Sequence, residues 1–163
     1  MRPLDQGLRQ VFSEPPCVIG VGNTLRSDDG VGVFIAERLA DELASGSRHA
    51  VICAEDVIEN HVFRIADSAV RNVLVIDAVQ GTGSEPGSLV LGSLTEMEIG
   101  GGFSTHKLAL SMAAKLLAQH GKDVYLLGIA AENIEFGTSV SQEILESAET
   151  VIDLVLGRIA RSN

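Results

Sequence analysis

Four runs of this chain are apolar almost from end to end, where a half-buried strand would be apolar at every second position. They are Cys17–Val21, 50–54, 72–76 and 124–130. A strand with one wet face alternates. A continuous run needs both faces covered, as in a parallel sheet flanked by helices. The intervening segments supply the helices. Val31, Phe34, Ile35, Arg38, Leu39 and Leu43 follow the three-four spacing of a single buried face. They predict a helix over 28–43, capped by Ser27 or Asp28 and stopped by Ser45-Gly46-Ser47. A second helix is predicted over 59–69, with Val62, Phe63, Ile65 and Ala66 inward. A third follows Ser104-Thr105 and runs to Gln119, with Leu108, Met112 and Leu116 beside Ala109, Ala113 and Leu117, and with Gly121 as its stop. The last covers 141–159, with Ile144, Leu145, Ala148, Val151, Ile152 and Val155 inward. The segment 88–91 reads as a short edge strand after a Gly/Pro-rich loop. Gly100-Gly101-Gly102 reads as a hinge.

Strands alternate with helices throughout. That order predicts an α/β fold, a three-layer sandwich around a mostly parallel twisted sheet with helices on both faces. A length of 163 residues suits one domain, here 17–160. Residues 1–16 mix charges with Ser13, Pro15 and Pro16 and read as a flexible N-terminal extension. They lack the apolar core of a signal peptide, and no apolar run approaches the ~20 residues of a membrane span. A net charge of -10 argues against nucleic acid and anionic membranes as partners. Cys17 and Cys53 fall in apolar runs without a CxxC and read as buried free thiols. Together these features predict a cytoplasmic protein without membrane insertion.

In such a sheet, ligands bind outside the carboxyl ends of the strands. Asp28 and Asp29 follow the first strand, Glu55 and Asp56 the second, and Asp77 closes the third. His106 lies in the first turn of the helix after the glycine hinge. If strands one and three are neighbours, Asp29 and Asp77 converge and His106 can reach them. Two carboxylates and an imidazole suit a transition metal and leave positions open for water or substrate. Each residue alone also has a plain structural role, Asp28 as a cap, Asp77 as a turn residue and His106 as a solvated surface group. A nucleotide-binding reading of the first turn fails on its chemistry. Gly20 and Gly22 fit G-x-G-x-x-G, but Leu25 occupies the third glycine position. Asp28 and Asp29 would also repel a phosphate at the helix start. No P-loop, G-x-S-x-G or HExxH is present.

The run Gly20-Val21-Gly22-Asn23-Thr24-Leu25-Arg26-Ser27-Asp28-Asp29-Gly30-Val31-Gly32 resembles the signature of the hydrogenase maturation proteases. Ile76-Asp77-Ala78 resembles that family's second acidic position, and Ser104-Thr105-His106-Lys107-Leu108 its histidine motif. Tyr125-Leu126-Leu127-Gly128-Ile129 and Asn133-Ile134-Glu135-Phe136-Gly137 are similar to the branch serving membrane-bound or energy-converting hydrogenases. The resemblance spans about 17–157. It implies an endopeptidase that removes the C-terminal extension of a [NiFe] hydrogenase large-subunit precursor after nickel insertion. It further implies Asp29, Asp77 and His106 as metal-contacting and catalytic residues, with the nickel supplied by the substrate. One departure is Ala54-Glu55-Asp56-Val57, where the family often carries Asp-Gly-Gly-Thr. The alternatives are a non-catalytic metal-binding maturation factor and, with less support, a nucleotide-binding α/β protein.

Overall fold

The computed structural model describes residues 3–43, 50–80, 83–95 and 106–162. Its strands are β1 (Cys17–Val21), β2 (Ala50–Glu55), β3 (Asn72–Val79), β4 (Leu89–Ser93) and β5 (Asp123–Ala130). Its helices are α1 (Leu4–Val11), α2 (Val31–Glu42), α3 (Val62–Ala66), α4 (Lys107–Gln119) and α5 (Gln142–Arg161), with 3-10 turns at Ser27–Gly30 and Ile58–Asn60. The sheet order is β2-β1-β3-β5-β4. β1, β2, β3 and β5 are parallel, and β4 runs antiparallel along the β5 edge.

The continuous apolar runs serve two layers at once. Val18, Leu74, Ile76, Leu127 and Ile129 face a cluster built with α1, α2 and α5. Cys17, Ile19, Val73, Val75 and Leu126 face the opposite cluster, built with α3 and α4. This is the period-two alternation of a strand with both faces dry. Gly32 sets how closely α2 lies on the sheet. A Cβ there would overlap the carbonyl oxygens of Val21 and Ile76, so helix backbone meets strand backbone directly.

Several expectations need correction. The supposed extension contains α1, with Leu8 and Val11 fully buried. Leu4, Leu8 and Val11 are spaced as an amphipathic face. The buried Asn72 amide donates to the carbonyls of Val11 (2.9 Å) and Gln10 (3.3 Å), which satisfies the last turn of α1. Cys17 is buried, but Cys53 is exposed on edge strand β2. The segment 59–69 holds only a 3-10 turn and the short α3, and Phe63 is exposed. On α4 the buried stripe is Leu110, Ala113, Ala114 and Leu117, while Leu108 and Met112 face outward at 74% and 65% exposure. Two small alanines let that face seat closely on the sheet, and so the larger side chains of the other stripe point away. Ser45-Gly46-Ser47, Gly81-Thr82, Gly100-Gly101-Gly102 and Ser104-Thr105 lie outside the described residues. Gly121 takes φ +77 after α4, the left-handed stop expected of it. Among the described residues, no helix is long and apolar enough to cross a membrane.

Candidate metal and catalytic site

β1 lies between β2 and β3, so the chain leaves β1 first to one side and then to the other. The crevice between the carboxyl ends of β1 and β3 is thus a topological switch point, where α/β sheets bind their ligands. Pairing between these strands ends at Gly20 and Ile76. Asp77 is the next residue of β3, still held to β5 opposite Gly128. It shares strand parity with Val73 and Val75 and therefore points toward the α4 layer.

Asp29 arrives from the other strand. After β1 the chain turns at Gly22, whose φ is +156 and whose amide donates to the Glu55 carbonyl at 2.7 Å. A Cβ at Gly22 would overlap the Asp29 carbonyl oxygen, so the turn requires glycine. The 3-10 turn then presents Asp29 at 1% exposure, with one carboxylate oxygen accepting from the Asn23 amide at 3.2 Å.

His106 is the residue before α4 and reaches both acids. Its Nδ1 is 3.2 Å from Asp77 Oδ2 and its Nε2 is 3.8 Å from Asp29 Oδ2. The other oxygen of Asp77 accepts from the Ala78 amide at 2.8 Å. Burial lowers the His106 pKa, but the hydrogen bond to Asp77 and the charges of Asp77, Asp29 and Asp56 outweigh it and leave the imidazole above its usual value. One ligand atom from each of Asp29, Asp77 and His106 lies within 4.8 Å of the others. Bonds of about 2.0–2.2 Å to one ion put its ligand atoms about 3.4 Å apart in a tetrahedral set, so the three side chains must draw together to hold one. Two carboxylates and an imidazole are a donor set for a divalent transition ion, and they leave several positions open.

Asp28 does different work. It is fully buried and points away from this group, toward the loop between β5 and α5. Its carboxylate accepts from the amides of Glu132 (3.0 Å), Asn133 (2.9 Å) and Ser141 (2.6 Å) and from the Ser141 hydroxyl (3.0 Å). Ser141 precedes α5, so the acid serves the start of α5 and not that of α2, whose dipole also favours a negative charge there. Ser27 and Arg26 add bonds from Ser27 Oγ to the Glu135 carbonyl (2.9 Å) and from Arg26 Nε to the Ile134 carbonyl (3.2 Å). The sequence reading missed this latch, because nothing local shows which distant amides an aspartate will meet. Glu55 occupies φ +52, the left-handed region that glycine adopts without cost. The turn forms with a strained residue in place.

An α/β sandwich with a carboxylate–imidazole group at its switch point defines a class of α/β proteins with a candidate cation site. The comparisons narrow that class. The hydrogenase maturation protease (HycI) family model matches residues 33–158, and the chain belongs to this family. It is similar to the hydrogenase 3 maturation protease of Escherichia coli K12, 28% identical over 84% of this chain and 86% of that protein. It is likewise similar in structure to a [NiFe] hydrogenase maturation protease HycI from Thermococcus kodakarensis, with a TM-score of 0.83, 28% identity and coverage of 94% and 98% of the two chains. The hydrogenase maturating endopeptidase HybD from E. coli shares the fold, with a TM-score of 0.75 at 21% identity over 92% and 94% of the chains.

Proposed function

We propose that this chain is an endopeptidase that removes the C-terminal extension of a [NiFe] hydrogenase large-subunit precursor once nickel is in place. Asp29, Asp77 and His106 receive the nickel that the precursor carries, so the ion is part of the substrate. The observation that carries this reading is the convergence of these three side chains at the switch point, in a member of this family. Two nearly buried carboxylates with oxygens within 4.8 Å of one another favour a cation in the crevice. A histidine ligates through a deprotonated nitrogen, so any proton His106 holds beside the two acids leaves as the ion arrives. The held ion fixes where the scissile carbonyl stands, and water is the attacking group. Water is preferred to a cysteine because neither thiol is poised as a thiolate. Burial pushes Cys17 up to about 11, and burial followed by the charge of Glu37 raises Cys53.

Substituting Asp29, Asp77 or His106 by Ala tests the reading. Each variant is expected to lose processing of nickel-loaded precursor while keeping the wild-type circular dichroism spectrum. Normal processing by His106→Ala would overturn the assignment.

A further inference from the structure

The six exposed large hydrophobic side chains of the described residues are Leu25, Val57, Phe63, Leu108, Met112 and Phe136. Leu25 and Phe136 are 52% and 86% exposed, on the two loops that the Asp28 latch joins. A parallel bridge pairs Arg26 with Gly137, which sets Leu25 and Phe136 at the same level one residue earlier on each side. The Gly137 amide donates to the Leu25 carbonyl at 2.8 Å, and the Ser27 amide donates to the Gly137 carbonyl at 2.9 Å. An exposed phenylalanine on a loose loop is unremarkable. Here it stands on a loop held through Asp28, Ser27 and Arg26, next in sequence to Asp29. Leu108 and Met112 are exposed on the helix that His106 precedes.

We infer that Leu25 and Phe136 form a fixed docking wall for the precursor polypeptide beside its nickel centre, taking an apolar side chain of a segment that also carries basic residues. The inference rests on the proposed proteolysis. The partner's chemistry follows from what surrounds the wall. Glu132 and Glu135 are exposed on the same loop, and Glu55 and Asp56 are exposed at the end of β2. β2 and β5 flank the β1–β3 crevice on opposite sides, so acidic groups border both sides of the site. A basic, apolar segment complements such a rim in charge as well as in apolar contact. A single buried aromatic anchor is commonly a dominant contact in an interface of this kind.

The test is steady-state cleavage of the nickel-loaded large-subunit precursor from the same organism by wild type, Phe136→Ser, Leu25→Ser and His106→Ala. The wall predicts that Phe136→Ser raises KM about tenfold with kcat nearly unchanged, and that Leu25→Ser raises it by a smaller factor. Both serine variants should give the same calorimetric response to Ni2+ alone as wild type. An unchanged KM in Phe136→Ser, with His106→Ala inactive, would overturn the wall and leave the proteolytic reading standing. Cleavage by His106→Ala would overturn that reading instead. A loss of kcat in Phe136→Ser without a change in KM would also overturn the wall. So would a wild-type dimer, seen by light scattering, that Phe136→Ser dissociates while KM stays constant, because the surface would then join copies of this chain.

Discussion

Asp28→Ala separates two accounts of the first acid in the motif. If Asp28 only capped a helix, its loss would cost about 1 kcal/mol. The structure gives it four donors from residues 104 to 113 positions away. Alanine leaves three backbone amides and one hydroxyl without their acceptor. Each such group costs about 1–3 kcal/mol when buried. Glu132 and Asn133 are exposed and Ser141 is half-buried, so water can serve part of the need and the lower figure applies to each. The expected loss is about 4 kcal/mol, a large share of the roughly 5–15 kcal/mol that holds a domain together. With a urea slope of about 2 kcal/mol per molar, the midpoint should fall by about 2 M. Equilibrium urea unfolding followed by circular dichroism reads this directly. A fall corresponding to about 1 kcal/mol or less would refute the latch and restore the simple cap.

Three further outcomes follow from the same geometry. Glu55→Gly removes a side chain from the left-handed region, which costs about 1–2 kcal/mol, at an entropic penalty of about 1 kcal/mol or less, so thermal unfolding should shift upward by about 1–4 °C; a downward shift would contradict the strain. The folded-state pKa of His106 is raised, so its contribution to stability is fully present below the unfolded value of about 6.5 and is lost as pH rises through the folded value. In metal-free protein the urea midpoint of wild type should therefore converge on that of His106→Asn across that window, and a gap that widens with pH would reverse the sign. Thiol labelling under native conditions should modify Cys53 and spare Cys17, in line with exposure on β2 against burial in β1; rapid labelling of Cys17 would contradict its placement.

Much of the architecture was legible because a doubly covered strand has no alternative to a continuous apolar run. The β1–β3 adjacency on which the site depends is not legible in the sequence, since pairing partners are a property of topology and not of composition. Asp29, Asp77 and His106 could be singled out because strand ends carry ligands in this architecture. The amphipathic spacing of Leu4, Leu8 and Val11 was present but masked by the neighbouring charges and prolines. On α4 two stripes compete, Leu108–Met112–Leu116 and Leu110–Ala113–Ala114–Leu117. Spacing alone favours the bulkier one, and close packing against the sheet selects the one with alanines. The latch at Asp28 was beyond local reading, since its partners lie at the far end of the chain.

The account stands or falls on whether nickel in the precursor governs cleavage. The direct measurement is the mass of the large-subunit product after incubating nickel-loaded and nickel-free precursor, side by side, with the protein. The account predicts that only the nickel-loaded precursor loses its C-terminal extension, and that Asp29→Ala, Asp77→Ala and His106→Ala leave it intact. Equal cleavage of both precursors would contradict it.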